Sequence, residues 1–532
     1  MVALALVALG CSGDERVQSP TPPGSGAVGD AGPPQDGGAL VVGVYQETSG
    51  WNPTYDRWAQ MGALTGSSVL EPLAAVDAQG RAQPWLATSW EPNADFTSWT
   101  VNLREGVQFH DGTPFDAASV KANVDDSMTA LLSSFALGKL LLAATVIGPH
   151  TLRIDLQTPW SAFPVAYLAS QGAMQRSPTT LVDGTASTHP VGTGPFRFGD
   201  WKRDDRFVVE RNPSYWRPGE PHLDRIEFRV VTEDGARASA LQANDLDMLF
   251  TVAAKDAAEL ERDHTVIRDW DTEQTMLVAN TRPMVGDHVN PMGDLHGRRA
   301  IAMATDRRVL AELIGQGVQV FSGPFAPGSP WGQSEDQSGY PTYDVEAARA
   351  EVAAYLQQSG QGEMDVQVIG AADTATISVL QALQAMWAKV GITASVKTFD
   401  ATAFNQRLIG SDYDLALTAP YSAPDPDQDF VFWAADNIGE HGRLSINFSG
   451  FTSPTTEQLM RDSRTTDDPD RRHALYDQIV RELNRNVTTI WLYATPFSLI
   501  AGSRVHGLER AAEVPFANYQ PKCWWGQVWL AH

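Results

Sequence analysis

Apolar and polar positions along the chain fall into three regimes. Met1 to Gly10 (MVALALVALG) is apolar without interruption. A run of about 10 residues is half of the roughly 20 that span a bilayer as a helix, but it matches the apolar segment of a signal peptide. From Ser12 to Gly38 there is no aromatic residue, Leu or Ile, and Gly and Pro recur. Such a segment buries too little surface to offset its ordering entropy, which predicts a flexible tether. From Ala39 onward the apolar residues take up regular periods.

Ala39 to Tyr45 (ALVVGVY) reads as a short buried strand. Ser98 to Leu103 alternates, with Trp99, Val101 and Leu103 on one face, and predicts a half-buried strand. After the turn His110-Asp111-Gly112-Thr113-Pro114, Asp116 can cap an Ala-rich helix running towards Met128. Gly192-Thr193-Gly194-Pro195 is a second tight turn, leading to Phe196–Phe198 and then a strand from Phe207 to Glu210. The most regular pattern comes later. Asp344 caps a helix with Val345, Ala348, Val352 and Leu356 on one stripe, stopping near Gly360. Strand Val366–Ile369, helix Thr374–Val390, strand Ile392–Phe399, helix Ala401–Ile409 and strand Tyr413–Thr418 follow. That β-α-β-α-β order predicts a parallel sheet with helices on its faces. Ligands of such sheets bind beyond the carboxyl ends of strands, which nominates the loop Ala419 to Pro426.

Composition narrows the function classes. The 532 residues predict three or four units at roughly 150 per domain. A net charge of −25 argues against a nucleic-acid partner, since phosphate binding relies on clustered Lys and Arg. With only Cys11 and Cys523, no disulfide framework or Cys-rich zinc module can form. There is no H-E-x-x-H pair, phosphate-binding G-x-x-x-x-G-K-[S/T] or G-x-S-x-G elbow. Gly24 to Gly29 matches G-x-G-x-x-G but lies in the tether, where no strand or helix frames it. Asp425, Asp427 and Asp429 begin like a calcium loop, but Phe430 stands where that loop needs Gly. No metal site and no cofactor is therefore assigned, and a non-enzyme is expected.

Ala8-Leu9-Gly10-Cys11 resembles a bacterial lipobox, with Cys11 as the lipidated residue. Further blocks follow in order: Glu71-Pro72-Leu73, Pro84 to Glu91 (PWLATSWE), Trp99 to Phe115 (WTVNLREGVQFHDGTPF), Gly192 to Phe196 (GTGPF) and Arg211 to Trp216 (RNPSYW). Together they resemble the extracytoplasmic solute-binding proteins of ABC importers, in the family 5 group that carries peptides and nickel. The resemblance implies an α/β, periplasmic-binding-protein-like fold of two lobes, with two hinge crossings and an extra subdomain inserted in the first lobe. On that basis the signal peptide with Cys11 is 1–11 and the tether 12–38. The first lobe is 39–65, 190–278 and 489–532, the inserted subdomain 66–189 and the second lobe 279–488. The crossings are expected near Met276–Asn280 and Thr488–Tyr493, and Trp90 and Phe109 as structural residues of the insert.

The resemblance also bears on the solute. Peptide-binding relatives place an Asp in the loop after this strand, where it pairs with the α-ammonium; matching Asp425-Pro426 puts Ser422 there. A serine cannot supply that charge, and losing one member of a buried charged pair costs about 2–5 kcal/mol. The nickel branch is similar in Asn52-Pro53 followed by Met61, and in the loop Tyr421-Ser422-Ala423-Pro424, whose aromatic residue stacks on a metal chelate. Tyr55 stands one place before the branch's tyrosine register, which Asp56 occupies, and His441 is the histidine in the stretch where that branch ligates metal. The arginine that holds a chelate carboxylate would fall between Gln171 and Met174, where none occurs; Arg176 is nearby. The implied ligand-binding set is Tyr55, Met61, Tyr421, Ser422, Asp425 and His441. By residue chemistry alone, Met61 reads as core and His441 as an exposed loop residue.

The expected partners are a small peptide, peptide-like or metal-chelate solute, the permease and ATPase of an ABC transporter, and the membrane through a lipid anchor. The expected state is a monomer on the outer face of the cell membrane, in the periplasmic space if the host is Gram-negative. Two other classes fit the same lobed shape: an extracellular hydrolase, and a signalling or chaperone-like surface protein.

Overall fold

The computed structural model describes residues 32–56, 58, 60–77, 79–130, 137–269, 273–420, 423–439, 445–508 and 523–532. Cys11, the apolar leader and the Gly24–Gly29 match lie outside the described residues, as does the tether before residue 32. Among the described residues no helix is long and apolar enough to cross a membrane.

Two large sheets organise the two lobes. The first has seven strands in the order Thr265–Asp269, Phe497–Ala501, Met248–Thr251, Ala39–Val44, Arg225–Val230, Arg206–Arg211 and Phe196–Lys202. Ala39–Val44 lies at its centre, parallel to both neighbours. Leu40, Val42 and Val44 pack in one core and Val41 against another, so both faces of the strand are covered, which is why its pattern is a continuous ALVVGV run. The second sheet has five strands in the order Ile392–Phe399, Met364–Ala371, Leu415–Thr418, Gln274–Ala279 and Thr489–Ala494. Met364–Ala371 is parallel to Ile392–Phe399 and Leu415–Thr418, so the β-α-β-α-β reading holds.

The chain leaves the first sheet after Asp269 and enters the second at Gln274; it returns between Ala494 and Phe497. The runs expected as crossings are antiparallel neighbours inside the second sheet, and the passage lies just outside them. Apolar composition marked those runs because both strands are interior to the core that also holds Trp387 and Val366.

Helix Val345–Ser359 is capped by the Asp344 carboxylate, which accepts from the amides of Glu346 and Ala347, and ends at Gly360 in the left-handed region. Its buried stripe is Ala348, Val352 and Tyr355; Val345 and Leu356 flank it and pack at the core margin. The four-stranded sheet Ala87–Pro92, Ser98–Leu103, Thr151–Leu156 and Leu141–Gly148 forms a third core, with Phe109 inside and Trp90 at its edge.

The blocks that carry the family resemblance converge on one buried carboxylate. Glu71 accepts from Trp85 Nε1 (2.8 Å), Thr193 Oγ1 (2.8 Å), Tyr215 OH (2.7 Å) and Trp216 Nε1 (3.0 Å). Burial pushes its pKa up against those four donors. The His110 ring bonds the Gly194 carbonyl through Nε2 (2.9 Å) and accepts from the Gly192 amide at Nδ1 (3.3 Å). Burial holds its pKa down at about 4, so the ring is neutral with the proton on Nε2. These blocks are scaffold.

Candidate functional site

Three sets of contacts reach the second-sheet side of the molecule, one from the seven-stranded-sheet side and two from the four-stranded-sheet subdomain. At the crossing, Tyr45 OH donates to Gln60 Oε1 (2.7 Å) and the Gln60 amide donates to the buried Glu273 carboxyl. Burial raises the Glu273 pKa to about 8, against hydrogen bonds from Thr495 and Gln60. Further out, Trp160 Nε1 donates to Asp427 Oδ2 at 2.6 Å, and Arg464 holds the same carboxylate through Nε (2.7 Å) and Nη2 (3.1 Å). Beside it, the Ser161 amide donates to the Arg464 carbonyl (2.9 Å) and Gln428 Nε2 to the Ala166 carbonyl (3.0 Å). At the edge of the cleft, Lys139 donates to Asn437.

A recess of about 560 Å³ lies beyond the carboxyl end of Leu415–Thr418. Met276, Val278 and Trp491 of the second sheet form its floor, Phe432, Trp433 and Phe448 its walls, and Pro420, Gln274 and Asp429 are on its lining. Gln274 follows Glu273 directly, so the recess begins where the chain crosses between sheets. The Asp429 carboxyl is buried, and burial, with the Asp425 carboxylate second, pushes its pKa well up.

The residues singled out by sequence divide. Tyr421, Ser422 and His441 lie outside the described residues. Tyr55 is 47% exposed in the turn after Asn52. Met61 packs among Trp51, Trp58 and Val69 in the first lobe's core and borders a small cavity with Phe207 and Phe228, as its side-chain chemistry alone implied. Asp425 is buried, and both its oxygens are taken by Arg472 (2.8 Å each) while it also accepts from the Asp427 amide. Its role in the structure is to hold the loop, since the guanidinium fork fills the acceptor positions that a ligand would use. The D-x-D-x-D run is likewise split between Arg472, Arg464 and the recess, and no metal-holding cluster occurs among the described residues. Arg176 is fully buried and donates to Asn52, Thr54, Asp126 and Asn123; its Nη2 is without an acceptor.

Sequence reasoning missed Gln274, Asp429, Phe432, Trp433 and Trp491. Six separate stretches, 274–278, 324, 420, 429–433, 448–449 and 488–491, line the recess, so no local spacing announces it. The available signal was Asp429, an acid among apolar residues after a nominated loop.

Two lobes, a double passage between them and a recess at a strand end define a two-lobed binding protein. The chain belongs to the bacterial extracellular solute-binding proteins, family 5, whose middle-region model matches residues 81–440. It is 29% identical over 371 residues to the glutathione-binding protein GsiB of Escherichia coli K12, across 68% of this chain and 70% of that protein. GsiB of Shigella flexneri matches to the same extent. In fold it is similar to the periplasmic binding protein DppA from Helicobacter pylori in complex with peptide STSA (TM-score 0.79, 20% identity, 93% of this chain and 98% of that one). It is also similar to NikA from Brucella suis in complex with Fe(III)-EDTA (TM-score 0.75, 23% identity, 90% and 98%). Members of this family are extracytoplasmic solute-binding proteins.

Proposed function

We propose that this protein is the receptor of an ABC importer, enclosing a peptide, peptide-like solute or nickel-type chelate between its lobes and delivering it to the permease. The observation that carries this reading is the direct bonding of the two lobes through Gln60 to Glu273 and Trp160 to Asp427. Those contacts can form only when the lobes are together, the closed half of a hinge cycle. GsiB binds glutathione, itself a small peptide, which favours the peptide-like class.

The division into two lobes belongs to this proposal, with the limits moved so that Gln274–Ala279 and Thr489–Ala494, strands of the second sheet, fall in the second lobe. So do the lipid anchor at Cys11, a monomeric state on the outer membrane face and the stacking role of Tyr421, with Ser422 and His441 beside the solute. So does the tether, which ends short of the expected residue 38 because Gln35 to Gly38 bond His532, His222 and Asp224 of the body. Tyr55 fits such a site through its exposure next to Asn52 and the buried Arg176. Calorimetry with a peptide library, glutathione, and nickel plus histidine tests the reading. One solute should bind at a single site without turnover; release of cleaved products from any of them would sink it.

A further inference from the structure

We propose that the recess beside the Phe430–Trp433 helix takes the cationic amine end of an organic solute, with Asp429 as its counter-charge. The inference deepens the receptor reading and rests on it. Three acids stand within five residues of chain, and only two are matched. Asp425 is held by Arg472 and Asp427 by Arg464, each through two hydrogen bonds. Asp429 is 5% exposed and lines the recess, yet its carboxyl has no hydrogen bond or ion pair with any described residue. A buried carboxyl without a partner is a costly arrangement that a ligand can relieve.

A second acceptor on the same lining is also unmatched. Gln274 is 3% exposed, and its amide nitrogen donates to the Pro324 carbonyl, which fixes the orientation of the group. Its Oε1 is buried with no donor. Two acceptors without donors call for a ligand that brings N–H groups, and a cation beside Asp429 would hold as a carboxylate the group that burial otherwise drives towards its neutral form. The walls agree, because Phe432, Trp433 and Trp491 offer aromatic rings on which an ammonium or guanidinium is favoured over an anion. Asp429 is the one titratable side chain among the described lining residues, so no cation among them competes for it.

Titration calorimetry with three probes of one skeleton, phenethylamine, 2-phenylethanol and 3-phenylpropionate, tests the proposal on the intact protein. Phenethylamine should bind at least tenfold more tightly than either of the others, and Asp429→Asn should abolish that preference while keeping the shape of the recess. Trp433→Leu, which leaves the carboxyl in place, should reduce the preference severalfold and serves if Asp429→Asn does not fold. Equal binding of the three probes, or an amine preference that survives Asp429→Asn, would overturn the inference. The receptor reading fails separately. If a solute from growth medium closes the lobes by X-ray scattering and Asp429→Asn binds it unchanged, the cation inference falls and the receptor stands. If nothing closes the lobes but the amine preference depends on Asp429, the recess inference stands and the receptor falls.

Discussion

Replacing Trp160 with Phe removes one donor from the lobe contact and leaves most of the ring. Trp160 is fully buried, edge-on to Phe163 and tilted against Tyr167, and its Nε1 reaches Asp427 at 2.6 Å. Asp427 keeps its two bonds to Arg464, so the variant strands no charge. A hydrogen bond to a charged group contributes about 1.5–3 kcal/mol. If the lobes separate on opening, that amount is lost from the closed state only, and closure weakens by roughly 10- to 150-fold at 1.4 kcal/mol per decade. Ligand affinity should fall by the same factor, mostly through faster release. Stopped-flow displacement of bound solute, with the tryptophan fluorescence baseline corrected for the lost indole, reads the rate directly. A release rate within twofold of wild type would refute the reasoning, because it would mean that the Trp160–Asp427 contact persists when the solute leaves.

Other perturbations have defined outcomes. Glu273 has a folded-state pKa raised to about 8 from 4.5, so its proton favours the folded state: stability is full below pH 4.5 and declines as pH rises to 8. At 1.36 kcal/mol per unit the loss is about 5 kcal/mol, and Glu273→Gln should flatten the decline of the urea midpoint across that window. Glu71→Leu leaves four donors without an acceptor, Trp85 and Thr193 buried and Tyr215 and Trp216 half-buried, and should cost about 3–5 kcal/mol, seen as a lower melting temperature. Arg472→Ala leaves Asp425 buried and unpaired and should cost about 3–5 kcal/mol in denaturant unfolding. Tyr421→Ala should weaken solute binding more than tenfold by calorimetry; unchanged affinity would remove that residue from the site.

What could be read from the sequence depended on whether the signal was local. The caps at Asp116 and Asp344 were legible because each is a side chain bonding amides two or three residues ahead. The parallel β-α-β-α-β unit was legible because each strand and helix carries its own period. The hydrophobic stripe of helix Val345–Ser359 was nearly right, missing Tyr355 because a phenol among aliphatics reads as a surface residue. The family blocks were visible as words, but their meaning was not: Glu71, Trp85, Thr193, Tyr215 and Trp216 meet only in three dimensions. Asp425 was nominated beside its loop, and nothing near it in sequence reveals Arg472, which lies 47 residues on. The same distance effect hid the recess, whose floor comes from 276–278 and 491 and whose acid and nearest walls come from 429–433.

The central claim is that a solute is held between the two lobes, and native mass spectrometry of the protein purified without refolding tests it most directly. The predicted spectrum shows the chain carrying one small molecule, released intact when the protein is denatured and regained when the stripped protein is incubated with growth medium. A chain that carries nothing before or after that incubation, or that releases the molecule as cleaved fragments, would contradict it.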